Sequence, residues 1–335
     1  MKIVFDQHIP FLSEAVQREW HDVFVCPMEP EEIDARSVRD ADVLIVRTRT
    51  KVNAQLLADS SVQLVCTATI GFDHIDTAYC DAHGIRWISC PGCNAQAVCD
   101  YIEEALTEAG FLPSEARPGI VLGVVGVGHV GSLVAQMAQK KGMKVLLNDP
   151  PKGIGVSLDE IAENCDVITF HVPLTKQQQP ADSSPLYGGS DGGTFHLCDA
   201  AFLSRCKPNA LIINASRGGV VDEQALMDSG HPYIIDTWEN EPALSATVLD
   251  HALLASMHIA GYSVQGKRNA TQMCLDAIAE HFLLPKIDIS EFRYTETSAQ
   301  KEDSAQGWLR RVSNALKQNP TGFESLRKAY PLRGE

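Results

Sequence analysis

Short apolar runs alternate with segments of helical spacing along most of this chain. In the N-terminal part, the apolar runs are typical of buried parallel strands, and residues 11–20 repeat apolar positions at helical intervals. The strands predicted there are 2–5, 42–46, 62–67 and 85–88. Strands that alternate with helices favour a parallel sheet covered by helices, so this part is predicted to be one α/β unit.

A second series of the same kind follows a predicted helix at 94–109. Its predicted strands are 120–125, 144–147, 166–170, 210–214, 233–236 and 255–258, and a long helix is predicted at 264–284. Residues 177–193 are rich in turn formers and are predicted to be a loop that could cover a site. The pattern therefore predicts α/β architecture, with two Rossmann-like or flavodoxin-like domains, parallel sheets, a cleft between the domains and a small C-terminal appendage.

A glycine-rich turn stands where the second series begins. Gly126, Gly128 and Gly131 form G-x-G-x-x-G between a predicted strand and a helix, and Asp149 follows 23 residues after Gly126. This context is typical of a dinucleotide site, in which glycines admit the pyrophosphate and the acid binds the ribose hydroxyls. A carboxylate at 149 would repel a 2′-phosphate, so NAD is expected rather than NADP. The expected contacts from this motif are Gly126, Gly128, His129, Val130, Gly131 and Asp149.

Three chemically suggestive side chains follow predicted strands further along. Arg217 lies in the run NASRGGVVD, Glu241 in DTWENEP and His258 in HIAGY. They could act as an anion clamp, a carboxylate and an acid–base imidazole, because ligands bind at the strand ends of doubly wound folds. Taken singly, each would more often be a surface charge or a structural histidine.

Together, from residue 1 to about 284, these motifs resemble the D-2-hydroxyacid dehydrogenase family. The resemblance implies that His258 exchanges the proton of the substrate hydroxyl, that Glu241 holds the imidazole and that Arg217 binds the substrate carboxylate. It also implies cofactor contacts at Ala215, Ser216, Asp236 and Gly261. The implied domains are a substrate domain at 1–94, an NAD-binding domain at 95–258, a helix returning to the substrate domain at 259–284 and a C-terminal segment at 285–335.

Several segments look like the branch of this family that oxidises 4-phospho-D-erythronate in pyridoxine 5′-phosphate biosynthesis. They include VRTRTKV at 46–52, PGCNA at 91–95 and HIAGYSVQGK at 258–267. This likeness implies substrate contacts at Thr48, Thr69 and Tyr262. Arg47, Arg49 and Lys51 share one face of an extended segment and are candidates for the phosphate, with Lys267 and Arg268 as further candidates. Another D-2-hydroxy acid, such as 3-phosphoglycerate, and a non-enzymatic NAD-binding regulator remain alternatives.

Composition limits the partners. The 335 residues carry a formal net charge of −15, which disfavours nucleic acid and anionic membranes and leaves a small phosphorylated hydroxy acid as the expected partner. Ten cysteines without an export signal indicate the cytoplasm. The segment FESLRKAY at 323–330 resembles part of a dimerisation segment, so a homodimer is expected. Cys90 and Cys93 form C-x-x-C, but no thioredoxin-like unit surrounds them and no metal is expected.

Overall fold

A computed structural model describes residues 1–112, 119–175, 193–292 and 307–334. The chain divides into two compact units. The first comprises Met1–Asn94 and the described part of Ser263–Glu296, and the second comprises Ala95–Tyr262 and the described part of Thr297–Arg333. The chain thus divides after Asn94 and after Tyr262, and the expected functional domains at 1–94, 95–258 and 259–284 stay predictions.

The first unit is built on a five-stranded parallel sheet of order β2-β1-β3-β4-β5. Its strands are β1 (Lys2–Asp6), β2 (Phe24–Met28), β3 (Val43–Val46), β4 (Leu64–Thr67) and β5 (Arg86–Ile88). Its helices are α1 (Leu12–Glu19), α2 (Ala54–Leu57), α3 (Thr77–Ala82) and the long α10 (Val264–Phe282), with a 3-10 turn at Pro30–Glu32. This order is that of flavodoxin-like folds, in which ligands bind where the order reverses, here between β1 and β3.

Strand β2 was not predicted from the sequence. Pro27 lies within it, and proline lowers the strand signal because it cannot donate a ladder hydrogen bond. The structure places β2 at the edge of the sheet, where proline is tolerated and where Phe24 is 77% exposed. The other residues of β2 are apolar like those of β3 and β4, so the proline is what weakens the strand signal here.

The second unit is built on a seven-stranded sheet of order β12-β11-β10-β9-β6-β7-β8. Its strands are β6 (Val121–Val125), β7 (Lys144–Asp149), β8 (Ile154–Gly155), β9 (Val167–Phe170), β10 (Leu211–Asn214), β11 (Tyr233–Ile235) and β12 (Leu254–Ala255). Its helices up to residue 262 are α4 (Ala95–Glu108), α5 (His129–Lys140), α6 (Leu158–Asn164), α7 (Ala200–Leu203), α8 (Glu223–Ser229) and α9 (Ala246–His251), with 3-10 turns at Pro150–Lys152 and Gly218–Val220. Among the described strands of this sheet only β8 pairs antiparallel, and the order is that of a Rossmann fold with its switch point between β6 and β9.

The C-terminal residues do not form a separate appendage. Helix α11 (Trp308–Gln318), a 3-10 turn at Pro320–Gly322 and α12 (Phe323–Ala329) belong to the second unit. Leu309 and Phe323 are fully buried in its core. The hydroxyl of Ser313 accepts a hydrogen bond from the backbone N–H of Ala255 at 3.0 Å, so α11 covers the edge strand β12. The expectation of a distinct segment at 285–335 is corrected accordingly.

The last strand of the second unit is shorter than expected. Strand β12 ends at Ala255, not at 258, and His258 itself has a left-handed backbone with φ 59°, outside the range of regular strands. The predicted loop at 177–193 lies, except for Gly193, outside the described residues. Within the described ranges, none of the helices has the length and the hydropathy needed to cross a membrane.

If α11 is part of the second core, removing a buried side chain from it should destabilise the protein. We expect Leu309→Ala to lower the free energy of unfolding by about 2–5 kcal/mol, since it leaves a cavity under the sheet edge. Asn314→Ala, at an exposed position of the same helix, is the matched control and should change stability by less than about 0.5 kcal/mol. Denaturant unfolding measures both, and equal stability of the two variants would contradict the assignment.

Candidate active site

The glycine-rich turn after β6 has a backbone that only glycine tolerates. Gly126 has φ 89°, and a Cβ built there would lie 2.7 Å from the carbonyl oxygen of His171. A Cβ on Gly131 would lie 1.9 Å from the carbonyl oxygen of Gly126. Side chains at these positions would therefore separate helix α5 from the sheet.

The start of α5 is open in the way that a dinucleotide requires. Gly128 is its N-cap and makes no side-chain cap, and a Cβ at Gly128 would meet nothing within 4 Å. Asp149 ends β7, and its Oδ2 accepts a hydrogen bond from the backbone N–H of Val127 at 2.8 Å. The free N–H groups and positive end of α5, beside this buried carboxylate, fit the pyrophosphate and ribose of NAD. His129 is exposed and Val130 is half-buried on the same turn.

Arg217, Glu241 and His258 follow three adjacent parallel strands. Arg217 comes after β10, Glu241 after β11 and His258 after β12. Because these strands run parallel, the three residues follow them at the same edge of the sheet as Gly126 and Asp149. This is the edge where doubly wound folds bind ligands.

His258 and Glu241 form a hydrogen-bonded pair. The ring Nδ1 of His258 lies 2.9 Å from Oε2 of Glu241, and Oε1 of Glu241 accepts from the backbone N–H of Trp238 at 2.8 Å. Burial acts to raise the pKa of Glu241, but the bond to His258 and its charge hold that pKa below its ordinary value. Nε2 of His258 has no hydrogen-bond partner within the described residues, and the side chain is 35% exposed. The arrangement leaves one ring nitrogen available for proton transfer.

The turn that carries Arg217 is organised by Asn214. The Oδ1 of Asn214 accepts from the hydroxyl of Ser216 at 2.8 Å, and its Nδ2 donates to the carbonyl of Arg217 at 2.9 Å. Gly218 must be glycine here, because a Cβ would lie 1.9 Å from the carbonyl oxygen of Trp238. The guanidinium of Arg217 is half-buried and donates to the Ser216 carbonyl at 2.8 Å. Ala215 is half-buried in the same turn, and Ser216 is buried.

Asp236 is fully buried and holds the segment that contains His258. Its carboxylate accepts from the Ser256 hydroxyl at 2.6 Å and from the backbone N–H groups of Ile259 at 2.8 Å and Ala260 at 3.0 Å. A buried carboxylate needs such donors, and these come from both sides of His258. The structure thus gives Asp236 a role in orienting His258, and its expected contact with the cofactor stays a prediction. Gly261, the other expected cofactor contact of this segment, follows Ala260 and is half-buried.

Sequence reasoning missed a group of acids beside this edge. Glu223 is 6% exposed and accepts a hydrogen bond from the backbone N–H of Glu239. His196 lies with Nε2 at 2.8 Å from Oε1 of Glu239 and with Nδ1 at 3.6 Å from Oδ2 of Asp222. Of this cluster, only Glu239 in DTWENEP and Asp222 in NASRGGVVD lie in the runs singled out from the sequence.

The first unit carries its own charged cluster at the carboxyl ends of β1 and β3. Arg47 donates through Nε and Nη2 to the two oxygens of the buried Asp6, at 2.8 and 3.1 Å. Lys267, in the first turns of α10, is close enough to this pair for Arg47 and Asp6 to influence its charge. Burial first, and then the positive charge of Arg47, lower the pKa of Lys267 to about 8, while Asp6 opposes this. The sequence names Lys267 only as a further candidate for the phosphate, and the structure brings it near Arg47, from which it is distant in the chain.

The other predicted substrate residues of the first unit lie at the same edge. Thr48 and Lys51 are exposed after β3. Thr69 follows β4, and its hydroxyl lies 2.6 Å from that of Thr67 and donates to the Gly71 carbonyl at 2.9 Å. These residues belong to the first unit, whereas Tyr262 and the three predicted catalytic residues belong to the second.

The C-x-x-C motif has the wrong environment for thiol chemistry. Cys90 is fully buried, and its Sγ lies 3.8 Å from Sγ of Cys274. The contact with Cys274 and burial raise the pKa of Cys90 far above its ordinary value, so the reactive thiolate is suppressed. Among the described residues, no three His, Cys, Asp or Glu side chains are arranged so that they could hold a metal ion.

The fold and the site are those of an NAD-dependent dehydrogenase. A histidine–carboxylate pair lies at the same edge of the sheet as the glycine-rich dinucleotide turn. The sequence matches the model of the D-isomer specific 2-hydroxyacid dehydrogenase catalytic domain over residues 3–303. The chain belongs to this family. The family assignment predicted from the sequence is confirmed.

Curated relatives match along the whole chain. The erythronate-4-phosphate dehydrogenase of Bacteroides fragilis is 41% identical over an alignment of 361 positions, which covers 100% of this chain and 97% of the relative. The enzyme of the same name from Porphyromonas gingivalis is 37% identical over 358 residues, covering 99% and 92% of the two chains.

Solved structures share the fold. The TT0316 protein of Thermus thermophilus has a TM-score of 0.68 at 22% identity, covering 86% of this chain and 100% of that one. The NAD⁺-bound 3-phosphoglycerate dehydrogenase of Entamoeba histolytica has a TM-score of 0.66 at 23% identity, covering 84% and 95%. These likenesses support the two-domain α/β architecture that the sequence predicted.

The buried Glu223 makes stability depend on pH. Burial, and then the charges of neighbouring acids, raise its pKa to about 7, against 4.5 for an ordinary glutamate. Between these values the folded state keeps a proton that the unfolded chain releases, so stability falls as the pH rises through this window. We expect Glu223→Gln to remove up to about 3 kcal/mol of this pH-dependent loss in the free energy of unfolding.

Denaturant unfolding at pH 5 and pH 8 measures this loss. Glu163→Gln, at an exposed position of the same unit, is the control and should keep the pH dependence of the parent protein. An unchanged pH dependence in Glu223→Gln would show that the buried carboxyl is not its source.

Proposed function

We propose that this protein oxidises 4-phospho-D-erythronate to 2-oxo-3-hydroxy-4-phosphobutanoate with NAD, as a step in pyridoxine 5′-phosphate biosynthesis. The observation that carries the proposal is the His258–Glu241 pair at the dinucleotide edge, in a chain whose full length matches curated erythronate-4-phosphate dehydrogenases. Bound NAD supplies the acceptor for the hydride that leaves C2 of the substrate.

His258, Glu241 and Arg217 carry out the proton transfer and bind the substrate. Nε2 of His258 accepts the proton of the C2 hydroxyl as the carbonyl forms, and returns it in the reverse direction. Glu241 orients the imidazole through Nδ1 and stabilises the imidazolium that results. Arg217 binds the substrate carboxylate, for which a planar guanidinium offers paired donors.

The charged cluster of the first unit supports a phosphorylated substrate. Arg47 and Lys267 carry two positive charges against the one negative charge of Asp6, so the cluster keeps a net positive charge in a protein with a net charge of −15. We assign the substrate phosphate to this cluster, with Lys51, Thr48 and Thr69 as further contacts. Tyr262 is assigned to the substrate in the second unit.

We also propose that the protein is a cytoplasmic homodimer. The described part of the chain holds all ten cysteines and contains no disulfide, which suits a reducing compartment. The dimer rests on the resemblance of residues 323–330 to a dimerisation segment, and the mass measured by light scattering tests it.

The function is tested by NADH formation with a panel of acids in the presence of a carbonyl trap. The panel contains 4-phospho-D-erythronate, 3-phosphoglycerate, D-glycerate and D-lactate, and His258→Asn is the matched inactive control. We expect 4-phospho-D-erythronate to be strongly preferred and His258→Asn to lose turnover while it still binds NAD. Preference for another acid would overturn the substrate, and NAD binding without turnover of any acid would favour a regulator.

Removing Lys267 should weaken recognition of the phosphate selectively. We expect Lys267→Met to lower kcat/KM for 4-phospho-D-erythronate by about tenfold to a hundredfold, since a charged hydrogen bond is lost, and to spare unphosphorylated D-erythronate. In the parent protein, KM for the phosphorylated acid should rise as the pH passes about 8, because the ammonium is then deprotonated.

Lys286→Met removes an exposed charge from the same unit and serves as the control. Equal losses on both substrates in Lys267→Met would contradict the phosphate assignment.

A further inference from the structure

The last described helix of the chain reaches the segment that carries the proposed catalytic histidine. Arg327 lies in α12, and its Nε donates a hydrogen bond to the hydroxyl oxygen of Tyr262 at 2.9 Å. Its guanidinium carbon lies 5.7 Å from the centre of the Tyr262 ring. Tyr262 follows His258 by four residues, so α12 contacts the HIAGY segment directly.

The backbone of the same segment is held from the same direction. Arg333 is 6% exposed and stacks on Trp308, with its guanidinium carbon 4.4 Å from the ring centre. Its Nη2 donates to the carbonyl of Ala260, and its backbone N–H donates to the carbonyl of Tyr262 at 3.3 Å. Both the side chain and the backbone of Tyr262 are therefore fixed by residues of the C-terminal segment.

Arg327 also interacts electrostatically with Glu241, the hydrogen-bond partner of His258. Its side chain is 26% exposed, and its neighbours include Glu324, with Nη1 at 3.5 Å from Oε1. Burial acts to lower the pKa of Arg327, but Tyr262, Glu324 and Glu241 together hold it above its ordinary value. Arg327 in turn contributes to the lowered pKa of Glu241.

The direction of the hydrogen bond determines what Tyr262 can do. Since the guanidinium has only donors, the Tyr262 oxygen accepts, and its own O–H remains to be donated elsewhere. A hydroxyl that accepts from a cation is a stronger donor, because hydrogen bonds in a chain polarise one another. The Tyr262 hydroxyl is thus prepared to donate to an electron-rich oxygen of a bound acid.

We propose that Arg327 is a positioning residue for the reaction, which orients the Tyr262 hydroxyl as a donor to the substrate and thereby makes the C-terminal segment part of the active site. This role rests on the proposed function, in which Tyr262 contacts the hydroxy acid. It adds to the predicted site a residue from the part of the chain that the sequence suggested only for dimerisation.

A double-mutant cycle on Arg327→Ala and Tyr262→Phe tests the proposal with the full-length protein. Each single variant should raise KM for 4-phospho-D-erythronate by about tenfold with a smaller change in kcat, since one charged hydrogen bond is lost. The double variant should be no worse than Tyr262→Phe alone, because Arg327 acts through that hydroxyl. NAD affinity, measured by fluorescence titration, should be unchanged.

Two further measurements separate positioning from a structural role. Added guanidinium ion at low millimolar concentration should partly restore KM in Arg327→Ala and leave the Arg327→Ala/Tyr262→Phe variant unaffected. Lys328→Ala removes an exposed charge from the same helix and should keep the parent KM and the parent Tm.

Additive losses in the cycle would overturn the positioning role, as would a rise in KM accompanied by equal losses of NAD affinity and Tm. Failure of the proposed function would be visible separately, as absent turnover of 4-phospho-D-erythronate by the parent protein.

Discussion

The buried carboxylate of Asp236 is the interaction on which the candidate active site depends. A carboxylate removed from water must be matched by donors, and Asp236 takes them from Ser256 and from the N–H groups of Ile259 and Ala260. Because two of these donors directly follow His258, the requirement of Asp236 for partners determines where the imidazole lies. The left-handed backbone of His258 is held by the same contacts.

The elements around this interaction reinforce it. Glu241 turns the imidazole through Nδ1, and the hydroxyl of Tyr101 lies 2.8 Å from that of Ser256, which extends the hydrogen-bond chain into the core. The C-terminal segment adds two hydrogen bonds to this region. Arg333 donates to the carbonyl of Ala260, and Ser313 accepts from the backbone of the edge strand β12. A site that transfers a proton with defined geometry needs such support, because small displacements of a reacting group reduce the rate strongly.

Prediction from sequence succeeded where local signals agree. The buried strands β3, β4 and β6 were predicted to within a few residues because their apolar runs are continuous, and helix α10 was predicted because its spacing is helical. It failed at β2, whose proline weakens the strand pattern. It also separated the C-terminal residues from the second unit, because the apolar face of a helix does not show which core it will contact.

The sequence by itself determined the dinucleotide turn, the order in which Arg217, Glu241 and His258 follow successive strands, and the family, because these depend on local order and on backbone conformations that glycine allows. Only the tertiary structure decided the pairing of Arg47 with Asp6, the proximity of Lys267 to that pair, the raised pKa of Glu223 and the contact of Arg327 with Tyr262. Each of these joins residues distant in the chain or depends on the loss of water around a charge. Burial and long-range contacts exist only once the chain has packed, so they cannot be predicted from a local pattern of residues.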